Sequence, residues 1–188
     1  MARNIMDTPI LSVRPYDLAG MLTGVMPVFP LVGLSPGMIK YRGQIVFHCL
    51  PALDPGDNPT LRKLNDTLAL MVEENELPLA FNSFMGYGVV KNVYKYDEKR
   101  WKKEEKLHYN EESLAVWLAE QTGLMNVDVW GMAFKEIRYI DPPVVNVFPP
   151  SDEVGHGSIW YGNNPMHWEG IKMVLRAPEF SEVVPKDL

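Results

Sequence analysis

A second cysteine is missing. With Cys49 alone among 188 residues, no intrachain disulfide can form, which excludes a small disulfide-stapled secreted scaffold and fits a reducing compartment. An excess of basic residues is missing too: 18 Lys and Arg against 24 Asp and Glu leave a net charge of −6. Such a field repels phosphate backbones, so general nucleic-acid binding is not expected. The densest basic stretch, Lys95 to Lys106, is interleaved with Asp97, Glu98, Glu104 and Glu105 and reads as a solvated charged segment. The opening MARNIMDTPILSVRPYD lacks the basic and then apolar order of a secretory signal. Together these absences point to an intracellular protein, cytoplasmic by default.

The chain also has little uninterrupted apolar sequence. Leu18 to Ile39 carries no charge and is long enough to cross a bilayer, but Pro27, Pro30 and Pro36 remove three amide donors, and Gly20, Gly24, Gly33 and Gly37 loosen the backbone. No membrane span is expected there. Short extended pieces such as Val25 to Phe29 and Leu31 to Leu34 are.

What is present suits one globular core. Apolar residues make up 46% and charged residues 22%, and a chain of this size buries roughly 70% of its unfolded surface. Sixteen prolines and fourteen glycines favour short elements over long helices. Tyr41 to Leu50 has the composition of a strand. Asn58 as cap and Pro59 at the first helical position open the clearest helix, with Leu61, Leu64, Leu68, Met71 and Val72 forming one apolar stripe. Leu79 to Phe84 and Tyr87 to Tyr96 suggest a hairpin turning at Met85-Gly86. A second helix is predicted after Asn110, followed by strands at Val127 to Tyr139, Val144 to Phe148, Ile159 to Tyr161 and Ile171 to Arg176, broken by Asp141-Pro142-Pro143. The order predicts an α+β fold: a mainly antiparallel sheet of short strands with about two helices on one face. Residues 18–176 form the single domain, 1–17 an extended N-terminal arm and 177–188 a C-terminal arm.

Chemistry is harder to find. His48 and Cys49 are adjacent, so on a strand they face opposite ways and cannot act as base and nucleophile; an inert core cysteine is expected. The four histidines, His48, His108, His156 and His167, lack ligand spacing. His167 and Glu169 are two apart, so on a strand they face the same side, and His156 could fold back across the intervening turn to complete a two-histidine, one-carboxylate set. No metal or cofactor is favoured all the same. Gly86-Tyr87-Gly88 and Gly155-His156-Gly157-Ser158 precede strands and read as turns, because a phosphate cradle needs a following helix. Asp128, Glu136, Asp152 and Glu153 supply carboxylates that no spacing pairs.

The most distinctive stretch is Ile159 to Trp168, where Trp160, Tyr161 and Trp168 surround Asn163 and Asn164. Aromatic faces beside amide donors suit a protein partner or a small ligand, and the plain alternative is a hairpin whose aromatics close the bottom of the core. With the uncharged Leu18 to Ile39 segment and the proline-rich ends, this hairpin makes the expected function that of a non-enzymatic structural or assembly subunit of a larger complex, of the virion or organelle-machine type, with a protein partner or a second copy of itself. The alternatives are a small metal-dependent hydrolase using His156, His167 and Glu169, or a ligand-binding module built on the 159–168 hairpin.

Overall fold

The computed structural model describes residues 4–24, 26, 28–95 and 129–183. After a short 3-10 turn (Ile5–Asp7) come strand β1 (Pro9–Val13), helix α1 (Pro15–Leu22), β2 (Val28–Val32), α2 (Pro36–Lys40), β3 (Gln44–Cys49) and α3 (Pro59–Asn75). Then follow β4 (Ser83–Lys95), β5 (Val129–Val144), β6 (Ile159–Tyr161), α4 (Pro165–Leu175) and β7 (Ser181–Val183). The strands form one sheet in the order β2-β5-β4-β3-β1-β6, with β7 also on β5. Every pairing is antiparallel except β1 with β3, whose parallel register runs from Ile10↔Val46 to Val13↔Cys49. This is the mixed α+β, largely antiparallel architecture that the element order predicts. No helix among the described residues is long and apolar enough to cross a membrane.

Alternation along the central strands produces two cores. Leu11, Val13, Ile45, Phe47 and Cys49 point to one face and pack with Leu18 and Met21 of α1, Met38 of α2 and Met71 of α3. Ile10, Val46, Phe84 and Tyr87 point to the other, where Ile171 and Val174 of α4 cover them. Helices therefore lie on both faces.

Several local expectations give way. Pro9–Val13, read as part of a surface arm, is extended but buried throughout and sits inside the sheet between β3 and β6. The uncharged Leu18 to Ile39 run is not a series of extended pieces. It ends one helix, supplies edge strand β2 and begins α2, and Leu18, Met21, Met26 and Phe29 are all 0% exposed. The protein's own core covers that surface. The expected hairpin at Met85-Gly86 is one continuous strand, because Gly86 serves a close approach of backbones: a Cβ there would collide with the Arg138 carbonyl. β5 passes through Asp141-Pro142-Pro143 to Val144, with register shifts in its pairing to β4. Ile171 to Arg176, read as a strand, lies mostly in α4, which Asn164 caps by accepting from His167 N–H and Pro165 begins. The charged Lys95 to Lys106 segment after Lys95, the helix expected after Asn110 and residues 184–188 of the C-terminal arm lie outside the described residues.

Candidate functional site

The histidines come first, because most sequence-level chemistry rested on them. His48 is fully buried on β3, where its Nε2–H donates to the Val147 carbonyl (2.8 Å). Its Nδ1 accepts from the Ser12 hydroxyl (2.9 Å), whose oxygen in turn accepts from Trp160 Nε1–H (2.8 Å). Burial lowers the His48 pKa to about 4, so the ring is neutral at physiological pH. His167, 3% exposed on α4, donates from Nε2 to the Phe148 carbonyl (2.7 Å) and accepts at Nδ1 from Asn163 N–H (3.2 Å). His156 accepts at Nδ1 from the backbone N–H of Arg14 (2.9 Å), and its Nε2–H donates to Asp17 Oδ2 (3.0 Å). In all three rings both nitrogens are engaged, leaving no lone pair open to a metal ion.

The proposed metal set is thereby dispersed. His156 belongs to Asp17 and Arg14, whereas His167 faces the core and Glu169, two residues on along a helix, is exposed. No group of three metal-ligating side chains occurs among the described residues. Cys49 is the inert core thiol expected of it, its pKa raised to about 12 by burial.

The aromatic stretch is divided rather than assembled. Trp160 is 7% exposed, with its ring edge-on to His48 (5.7 Å) and His167 (4.9 Å) and its N–H satisfied by Ser12. Trp168 donates to the Gly162 carbonyl (3.1 Å), Asn164 caps α4, and Asn163 uses its backbone N–H on His167. Of the three aromatics only Tyr161 is substantially exposed.

A cleft forms elsewhere, and its position follows from the parallel pair. Because β1 and β3 run the same way, their carboxyl ends at Val13 and Cys49 lie side by side. The chain leaves them as Arg14-Pro15-Tyr16, which opens α1, and as Pro51-Ala52-Leu53. Helix α3 crosses both and completes the cleft with Leu61, Leu64, Asn65 and Leu68. The ends of parallel strands are where open sheets place ligands, since side chains from separate connections converge there. The walls are apolar, and two polar side chains sit in them. Asn65 Nδ2 donates to the Leu53 carbonyl (3.4 Å), and Arg14 Nη1 donates to the Pro51 carbonyl (2.7 Å). Burial pulls the Arg14 pKa down from its usual value, but a guanidinium in this range stays charged at neutral pH. Among the described residues no carboxylate pairs with it. The enclosed space is only about 10 Å³, one water molecule's worth, so anything larger rests across the mouth.

Sequence reasoning missed Arg14. The local signal is nevertheless there: an apolar strand, then Arg14, Pro15 and an acidic residue at 17, the order of a helix start.

No family model matches the chain, and no curated protein matches it by sequence. Solved structures do match its shape. The ASCH protein of Zymomonas mobilis superposes with a TM-score of 0.52 at 10% identity, over 96% of this chain and 99% of that one. The fold is ASCH-like. A serine-to-alanine variant of that protein matches at a TM-score of 0.50 and 8% identity (90% and 97% of the two chains), and a tyrosine-to-phenylalanine variant at 0.51 and 9% (89% and 97%). These neighbours are ASCH proteins, and at such low identity the likeness is one of fold. Two expectations are corrected accordingly. The reading as a structural or assembly subunit with a protein partner falls, and its main physical basis falls with it, since most of the described residues of the uncharged segment are buried in the core. The exclusion of general nucleic-acid binding falls as well, because the fold neighbours are ASCH proteins and a net charge averaged over the whole surface does not bar a locally placed cation.

Proposed function

We propose that this protein is a nucleic-acid-binding module that takes single-stranded RNA at the Arg14 cleft. The observation that carries the reading is Arg14 itself: a half-buried cation, set in apolar walls at the carboxyl ends of the parallel strands, with no carboxylate partner among the described residues. One cation beside a leucine-lined wall fits the phosphate and base of one nucleotide. It does not fit a duplex backbone, which would call for a basic stripe that a chain of net charge −6 does not readily supply. The fold neighbours are ASCH proteins, a class associated with RNA binding, and that likeness supports the same class of ligand. A hydrolytic role gains nothing from His48, His156 or His167, whose nitrogens are all engaged within the fold.

Fluorescence anisotropy with a short labelled oligouridine, repeated over a salt series, tests the reading. Arg14→Met is expected to weaken binding by about tenfold or more and to reduce the salt slope by about one. A wild-type protein that binds no single-stranded RNA at low salt, or an Arg14→Met variant that binds as well as wild type, overturns it.

A further inference from the structure

His156 lies 142 residues from Arg14 in sequence, yet both nitrogens of its ring address the segment that carries the cleft's cation. Nδ1 accepts the Arg14 N–H at 2.9 Å, and Nε2–H reaches Asp17 in the first turn of α1 at 3.0 Å. The two side chains are 6% and 0% exposed, so both contacts are shielded from water and their geometry is fixed. The loop bearing His156 is itself pinned immediately after it. Gly157 N–H donates to the Ser12 carbonyl (2.8 Å), Ser12 N–H donates to the Ser158 carbonyl (2.9 Å), and the Phe29 ring meets the imidazole edge-on at 5.4 Å.

Arg14 occupies the N-cap position of α1 but makes no side-chain cap. A guanidinium has no acceptor with which to cap, so the imidazole fastens this helix start through the Arg14 N–H while the guanidinium lies in the cleft against the Pro51 carbonyl. From this we infer that His156 is a positioning residue for the RNA site: it fixes the backbone of Arg14 through Nδ1, while Asp17 holds the ring in the tautomer whose Nδ1 can accept. This deepens the proposed function and rests on it.

Two substitutions separate the two bonds. In His156→Asn the amide oxygen can stand where Nδ1 was and still accept from Arg14, while the contact to Asp17 is lost. In His156→Gln the longer amide can reach Asp17 but presents nothing to Arg14. Oligouridine binding is measured for both variants beside wild type and Arg14→Met, with urea midpoints recorded and Arg14 amide exchange followed by NMR.

The expected result is a split: His156→Asn retains affinity within about threefold, His156→Gln loses about tenfold, and only His156→Gln exposes the Arg14 amide to exchange. A purely structural role predicts instead that affinity tracks the urea midpoint in both, or that neither variant affects affinity, and either result overturns the inference. If wild type does not bind, or Arg14→Met binds normally, the proposed function itself fails and the positioning role goes with it. Wild-type binding that is lost in Arg14→Met but kept in His156→Gln removes the positioning role alone.

Discussion

His48 and His156 fasten to the same short stretch, Ser12 to Asp17, with different chemistry. His48 joins neutral groups, a hydroxyl and a carbonyl, and lies wholly within the protein. His156 joins a backbone N–H to a buried carboxylate. A proton added to His48 meets no opposite charge among its hydrogen-bond partners. The ring at 156 already leans on one. The first arrangement closes a core around Trp160, and the second ties a helix start to a distant loop. Residue type and burial alone do not distinguish them; the partners do.

The largest test of this contrast is His48→Ala. It opens a cavity and strands both Ser12 and the Val147 carbonyl without their partner, so a loss of about 3–5 kcal/mol is expected from urea denaturation. A loss below about 1 kcal/mol would mean that the network is dispensable.

Acid comes next. The folded pKa of His48 is about 4 against an ordinary 6.5, so between those values the unfolded chain binds the extra proton and the folded one does not. Stability contributed by neutral His48 is complete above pH 6.5, declines as pH falls toward 4 and is fully lost below it, amounting to roughly 2–3 kcal/mol. Urea midpoints between pH 7 and pH 4 read this directly. His48→Asn keeps an acceptor for Ser12 but cannot titrate, and its acid slope is expected to be shallower. An undiminished slope would assign the acid sensitivity to another group.

The smallest effect concerns the third ring. Asn164→Ala removes the cap of α4 beside His167 and is expected to cost about 1 kcal/mol. Oligouridine affinity should stay unchanged, because α4 covers the opposite face of the sheet from the Arg14 cleft.

The same cap explains what could be read in the sequence. Asn58-Pro59 and Asn164-Pro165 open helices in the same way. The first was legible because a leucine stripe follows it. The second buries His167, Gly170, Ile171 and Val174, a stripe at helical spacing whose first two members are not hydrophobic, so periodicity is hidden. Helix α1 fails for the opposite reason: all eight of its residues are buried, and a helix without a polar side has no period to detect. Strand β3, buried on both faces, announced itself through Ile45, Val46 and Phe47. The α+β class could therefore be read from composition and the clearest elements. The candidate site could not. Whether His156 serves a metal, a core or Arg14 depends on partners more than 130 residues away. The one charged side chain that matters at the cleft sat in a stretch that read as an arm.

Strand β1 has a consequence for how the protein is made. It emerges before its partners, two of which come late: Ser12 waits for Trp160, 148 residues downstream, and for the Ser158 carbonyl. At translation rates of about 5–20 residues per second, that interval is roughly 7–30 s. Through it an apolar Pro-Ile-Leu-Ser-Val segment has at most one of its two strand partners. Its first partner, β3, follows within some forty residues, and parallel pairing with it leaves an open edge until β6 arrives. The newborn chain thus carries β1 as an exposed apolar edge that a chaperone can shield, until β6 closes the sheet.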